Sequence, residues 1–269
     1  MPKTILITGS TDGIGLEAAK TLHSQGHRVL LHGRNPEKLQ AARETLSVQS
    51  GGEKVEGILA DLSRMADTKV LGRTIAATHD RIDVLINNAG VLRAEDTFTS
   101  DGLDIRFAVN TVAPYLLTRL LLPLLHPGAR VVNLSSAAQS PVDLEALAGK
   151  TVIPDQMDAY AQSKLAITMW SSVMASTHKK NGLVVVAVNP GSLLATKMVK
   201  EGFGMAGKDI HIGSDILVRA ALSDEFAAAS GLYFDNDSGR FAQPHDDALD
   251  PRKCRDVVRV IEAVLREAA

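Results

Sequence analysis

Seven short runs rich in Val, Ile and Leu punctuate the chain, at residues 3–8, 28–32, 55–59, 82–86, 130–134, 183–188 and 231–234. Most of them lack the apolar–polar alternation of a half-solvated strand, so both faces of each must be covered by other elements. Helical patterns fill the gaps, at 14–25, 36–48, 64–78, 104–125, 157–180, 213–222 and 252–267. A strand–helix order repeated in this way predicts a doubly wound α/β fold, a parallel sheet of about seven strands with helices on both faces. Asn35-Pro36 supports one boundary, with a capping residue ahead of a proline in the first helical turn. Asp61-Leu62-Ser63 ends a strand and is expected to cap the helix that follows. No linker or repeat divides the chain, and one domain over 1–269 is expected.

Charge narrows the class of partner. A net charge of −2 gives no electrostatic basis for nucleic acid or an anionic membrane as a general ligand. A single cysteine, Cys254, excludes an internal disulfide and a zinc cluster, so no metal is expected. The N-terminus runs straight into a strand without a signal-like apolar stretch. The most apolar run, 115–125, contains Arg119 and Pro123 and is far shorter than the roughly 20 residues that span a bilayer. No membrane span and a cytoplasmic location are therefore expected.

Between the first strand and first helix lies Thr8-Gly9-Ser10-Thr11-Asp12-Gly13-Ile14-Gly15. Gly9 can make a tight turn, Gly13 lets a ligand approach the backbone, and Gly15 lets the helix pack close to the strand. The helix N-terminus then offers free N–H groups and the positive end of its dipole to a pyrophosphate. The second strand ends as Leu31-His32-Gly33-Arg34-Asn35. An acidic side chain here would bind the ribose 2′-hydroxyl of NAD, whereas a guanidinium suits the 2′-phosphate of NADP. Glycine stands where the acid is expected and Arg34 follows, which favours NADP(H) over NAD.

Tyr160-Ala161-Gln162-Ser163-Lys164 opens a long helical segment. A separation of four puts Tyr160 and Lys164 one turn apart on one face, where an ammonium would lower the phenol from its usual pKa of about 10. Upstream, residues 130–136 form a strand ending in Ser135-Ser136. A hydroxyl at the carboxyl end of a parallel strand faces the crevice where ligands bind. Either serine could equally cap a turn, and most isolated Tyr-x-x-x-Lys pairs are unrelated surface residues.

Taken together, these motifs resemble the short-chain dehydrogenase/reductase family along essentially the whole chain. They stand in family order: Thr8 to Gly15, Asp61-Leu62, Asn87-Asn88-Ala89-Gly90, Asn110, Ser135-Ser136, Tyr160-x-x-x-Lys164 and Asn189-Pro190-Gly191. The resemblance implies a Rossmann-type fold and hydride transfer between NADP(H) and an alcohol or carbonyl. It implies Tyr160 as general acid/base, Lys164 as the lysine that tunes it and binds the nicotinamide ribose, Ser136 as the substrate-orienting serine, and Asn110 as the holder of a relay water. It places Gly9, Ser10, Asp12, Gly13, Ile14, Gly15 and Arg34 at the phosphates and adenosine, and Asp61 and Leu62 beside the adenine. Asn88, Ala89 and Gly90 would lie beneath the cofactor, with Pro190, Gly191 and Thr196 around the nicotinamide.

Departures qualify the pattern. Asp12 stands where many NADP-preferring relatives carry Arg or Lys, which leaves Arg34 as the main argument for NADP. Thr196 lies one residue further from Pro190-Gly191 than in many relatives. The long Ser136–Tyr160 gap and the late Ser230-Gly-Leu-Tyr-Phe-Asp resemble the retinol dehydrogenase-like branch. Residues 192–212 read as a mobile lid, whose Leu193, Leu194, Met198, Phe203 and Met205 suggest an apolar small-molecule substrate. The leucine-rich 104–125 helix and the 157–180 helix are expected to meet a partner in a homo-oligomer, or to be covered by the chain itself. The alternative function is a dinucleotide-binding sensor or scaffold without catalysis.

Overall fold

A computed structural model describes residues 1–49, 51–52 and 54–267, the side chain of Phe203 excepted. Its sheet has eight strands in the order β3-β2-β1-β4-β5-β6-β7-β8. They are β1 (Thr4–Ile7), β2 (Arg28–Gly33), β3 (Glu56–Leu59), β4 (Val84–Asn87), β5 (Arg130–Leu134), β6 (Val184–Asn189), β7 (Tyr233–Asp235) and β8 (Arg240–Ala242). The first seven are parallel and β8 returns antiparallel on β7. Seven strands were expected. The eighth is three residues long, too short to show a period of two.

Alternation along each strand divides the core in two. Leu6, Leu30, Leu85, Val131 and Val185 point to one face and pack with α3 (Met65–Thr78), α5 (Ala113–Leu121), α7 (Gln156–His178) and α10 (Pro251–Glu267). Ile5, Ile7, Val29, Leu31, Val84, Ile86, Val132 and Val186 point to the other, against α1 (Gly13–Ser24), α2 (Pro36–Gln49) and α9 (His211–Leu222). Asn35 starts α2 as its side-chain oxygen accepts from the Lys38 N–H at 2.7 Å. Asp61 instead caps the turn ahead of α3: its carboxylate accepts from the Ser63 N–H at 3.0 Å. The first residue of α3, Met65, receives its cap from Asp101, 2.7 Å away.

The apolar 104–125 segment does not run as one regular helix. It starts as α4 (Ile105–Phe107), widens into a π-turn at Ala108–Val112, and continues as α5. Pro114 lies at the start of α5 and has no N–H to donate, so the ladder re-registers and the Ala113 N–H bonds Ala108 five residues back. Residues 105–124 are apolar and long enough to cross a membrane by composition, yet most of that stretch is buried inside the fold. Buried between sheet and helices, it is read as a core helix.

Between β5 and α7, a short α6 (Leu144–Leu147) forms under the cap of Asp143. At the C-terminus, α10 places Cys254, Val257, Ile261 and Val264 on one buried stripe and lies along α7. Glu262 accepts from Tyr115 Oη at 2.8 Å and pairs with Arg119 at 3.2 Å, tying α10 to α5. The helix faces expected to meet a partner are thus partly covered by the chain's own last helix. Ile261→Ala should cost about 2–5 kcal/mol in denaturant unfolding, whereas Arg259→Ala, on the exposed side of α10, should change stability by less than about 0.5 kcal/mol.

Candidate active site

The glycine turn sits at the carboxyl edge of the sheet and is held from three sides. Gly9 (φ +64°) and Gly13 (φ +59°) both take the left-handed conformation that glycine adopts without strain. A Cβ on Gly9 would lie 2.9 Å from the Ala89 backbone, and one on Gly15 would collide with the Asn88 amide and the Gly9 carbonyl. Asn88 donates to the Thr8 and Gly9 carbonyls at 2.8 and 2.9 Å, and Thr8 Oγ1 accepts from the Asn88 and Ala89 N–H groups. Asp12 caps α1, accepting from the Gly13 N–H at 2.8 Å.

The third support comes from His32, which the sequence reading passed over. It is buried, and its Nδ1 accepts from the Gly9 N–H at 3.1 Å. That bond leaves Nε2 as the protonated nitrogen, 3.1 Å from the Ala60 carbonyl. Ser10 Oγ accepts from the His32 N–H at 2.9 Å, so Ser10 ties the turn to β2 rather than facing outward. A buried histidine in the middle of an apolar strand carries no local signal for this role, because only the crossing of β1 and β2 brings it to Gly9.

At the end of β2, Arg34 is exposed. Gly33 has no room for a side chain, because the Thr11 methyl fills the space a Cβ would take. An acid at that position would displace Thr11. Lys38 reaches across from α2 to pair with Asp12 at 2.7 Å, and this ion pair lowers the Asp12 carboxyl pKa. A second cation, Lys38, therefore lies beside the turn, paired with Asp12. Asp61 is half-buried and Leu62 is buried just beyond β3.

The four polar residues expected for catalysis converge at the ends of β4 and β5. The two serines after β5 part company. Ser135 turns inward to Thr168 Oγ1 (2.7 Å) and the Lys164 carbonyl (3.0 Å), whereas Ser136 lies on the side of Tyr160, near enough to lower the phenol's pKa. Lys164 is buried, with Nζ 5.6 Å from the centre of the Tyr160 ring and donating to the Leu134 carbonyl at 2.7 Å. Asn110 lies in the π-turn. Its Oδ1 accepts from the Val91 N–H, and its Nδ2 donates to the Val91 carbonyl and Ser163 Oγ. A Cβ built on Gly90 would sit 3.5 Å from Asn110 Oδ1 and 3.6 Å from Lys164 Nζ, so that bare backbone faces both groups.

Electrostatics at Tyr160 run against the simple expectation. Desolvation pushes the phenol above its ordinary pKa, and the Ser136 bond pulls it back only in part. Burial also lowers the Lys164 ammonium to about 7. In this pocket the loss of water outweighs the pull of a lysine one turn away.

After β6, Gly191 takes φ +114° and its N–H bonds Asn189 Oδ1 at 3.2 Å. Pro190 and Gly191 turn the chain into the segment expected to be a lid. Backbone bonds between Leu193, Ala195 and Lys208 strap that segment, which holds the short helix α8 (Lys197–Phe203). Thr196 caps α8, and its methyl lies 3.8 Å from a Cβ built on Gly13. Leu194 is buried against Gly213 in α9 and so serves the core. Met198, in contrast, reaches Gly90.

The fold and this edge define a Rossmann-type α/β protein with a glycine turn facing a Ser–Tyr–Lys cluster. The chain belongs to the short-chain dehydrogenase family, whose model matches residues 3–205. It is 31% identical over 251 residues to human retinol dehydrogenase 13, covering 87% of this chain and 76% of that protein. A structure from Mycobacterium paratuberculosis superposes with a TM-score of 0.81 at 26% identity, over 98% of this chain and 93% of that one. A short chain dehydrogenase from Escherichia coli, solved with NADPH, gives 0.70 at 29% identity over 87% and 96%.

Burial holds His32 neutral, with its pKa lowered to about 4 from the usual 6.5. Between those values the unfolded chain binds a proton that the folded chain does not, so stability falls as pH drops from 6.5 to 4, by about 3 kcal/mol in full. Urea unfolding at pH 6.5 and 4.5 should show this slope in the wild type and a flatter one in His32→Asn.

Proposed function

We propose that this chain is an NADP(H)-dependent oxidoreductase that interconverts an alcohol and a carbonyl on an apolar small molecule. The observation that carries this reading is the Tyr160 phenol, with Ser136 beside it and the Lys164 ammonium over its ring, next to the bare Gly90 backbone. The glycine turn suits a pyrophosphate: Gly9 and Gly15 let it pack tightly on Ala89 and Asn88, where a Cβ would collide, and the α1 N-terminus opens onto it. Arg34 and Lys38 supply cations for a 2′-phosphate, and Gly33 lacks the acid that would select a free ribose hydroxyl. The relative from Escherichia coli solved with NADPH points the same way.

The nicotinamide, when bound, supplies or accepts the hydride. In reduction, Ser136 and Tyr160 hold the carbonyl oxygen, and Tyr160 Oη delivers its proton to the developing alkoxide. In oxidation, Tyr160 takes the proton as phenolate. Lys164, once charged, would stabilise that phenolate and help hold the cofactor when bound, and Asn110 would position a water from which Tyr160 is re-protonated. Met198 reaches the bare backbone at Gly90, where it would limit the access of water to the site.

Oxidation of NADPH and of NADH should be measured against a panel of aldehydes, ketones and quinones. NADPH-selective turnover is expected, with a loss on the order of 100- to 10,000-fold in Tyr160→Phe. Near-wild-type turnover in that variant would remove Tyr160 from the mechanism, and cofactor binding without any turnover would favour the non-catalytic sensor. Arg34→Ala should raise the KM for NADPH by roughly 10- to 100-fold and leave that for NADH unchanged, whereas equal effects on both would overturn the preference for NADP.

A further inference from the structure

The late Ser230-Gly231-Leu232-Tyr233-Phe234-Asp235 segment has, so far, only built β7. Its local structure is set from both ends. Ser230 Oγ accepts from the Val185 N–H at 3.2 Å and donates to the Leu183 carbonyl at 3.2 Å. Gly231, at φ +83°, donates to the Val185 carbonyl at 2.7 Å. At the other end Asp235 accepts from Asn189 Nδ2 at 2.8 Å. These bonds pin the register with Tyr233 opposite Ala187. Phe234 then enters the core cluster beside Phe226 and Phe241. The pleat sends Tyr233 to the opposite face.

There Tyr233 is buried, and its Oη donates to the Ser136 carbonyl at 3.0 Å. Gln139 Nε2 donates to the same carbonyl, also at 3.0 Å, and is itself held as its Oε1 accepts from the His245 N–H at 2.9 Å. Both lone pairs of this oxygen are therefore engaged, which fixes the peptide plane after Ser136. The Ser136 hydroxyl accepts from the Ala138 N–H at 3.1 Å. With one acceptor position filled from behind, the hydroxyl keeps its proton for a partner on the Tyr160 side, where it helps lower the phenol's pKa. Nothing else among the described residues spans from β7 over β6 to the turn after β5 in this way.

We infer that Tyr233 is a positioning residue for Ser136: its phenol and the Gln139 amide clamp the Ser136 carbonyl so that the serine hydroxyl is aimed at Tyr160 and the substrate oxygen. The inference rests on the reading of Ser136 as the substrate-orienting serine. Tyr233 touches neither substrate nor cofactor and acts only through Ser136. A phenylalanine keeps the ring and removes the one bond that matters.

The test uses the full-length enzyme, NADPH, and the member of the carbonyl panel that the wild type turns over fastest. Tyr233→Phe should lower kcat roughly 10-fold and leave the NADPH dissociation constant, read by fluorescence, within about twofold of wild type. The high-pH limb of the rate profile should move upward, as in Ser136→Ala, because the serine bond that lowers the Tyr160 pKa is weakened in both. In a Ser136→Ala background, Tyr233→Phe should have less than about a twofold effect. Gln139→Met, which removes the second donor to the same carbonyl, should act in the same direction and replaces Tyr233→Phe if that variant is not recovered folded. Unchanged kcat, or an equal loss in both backgrounds, would overturn the role of Tyr233 while Ser136→Ala remained impaired. Wild-type turnover in Ser136→Ala would instead remove the serine reading on which the inference stands.

Discussion

Seven parallel strands end on one edge of the sheet, and there the backbone runs out of ladder partners. Side chains must take over from the hydrogen bonds that stop. Thr8 and Asn88 do so between β1 and β4, Ser135 and Asn133 after β5 and within it, and Asn189 at the end of β6. Asn87 donates to Asn133 Oδ1 at 2.8 Å and Asn133 donates to Ser171 Oγ at 2.7 Å, which carries the network into α7. The polar residues that mark this edge in sequence are first of all the means by which it closes. The candidate chemistry is laid over that closure, on the few groups it leaves facing outward: Ser136, Tyr160, and the free N–H groups at the start of α1.

Burial then sets the terms for the titrating groups. Tyr160 is pushed up and Lys164 down to about 7, so the pocket by itself opposes a separated phenolate and ammonium. The opposition is symmetrical, because each charge would relieve the cost of the other if both formed together. A proton site built in this way responds to what enters the cleft. His32 shows the same physics used for support: it is kept neutral, and its unprotonated Nδ1 is the acceptor that the Gly9 N–H requires.

The last quarter of the chain binds the other parts together. The β7–β8 hairpin returns Tyr233 to the turn after β5, and Asp237 accepts from Asn189 Nδ2, Ser192 N–H and Ser192 Oγ, anchoring the start of the strapped segment. From there α10 lies along α7 and is tied to α5 through Glu262. The buried stripe of α10 occupies part of the surface that two long apolar helices would otherwise expose.

Most of the parallel sheet could be read in the sequence, because strands buried on both faces are apolar without alternation and few other structures need that. The glycine turn was legible for a similar reason, since left-handed backbone and close packing at Gly9, Gly13 and Gly15 demand a missing side chain. Less could be read wherever a partner lies far along the chain. The break in the 104–125 helix follows from Pro114 but is masked by the helical pattern that continues on both sides of it, and β8 is too short to carry a period. The pairing of Lys38 with Asp12, of His32 with Gly9, and of Tyr233 with Ser136 spans 26, 23 and 97 residues. Local sequence dictates which backbone each of these residues builds, through propensity and period alone. Which polar atom each one meets is decided by the crossing of strands, and that exists only once the sheet has formed.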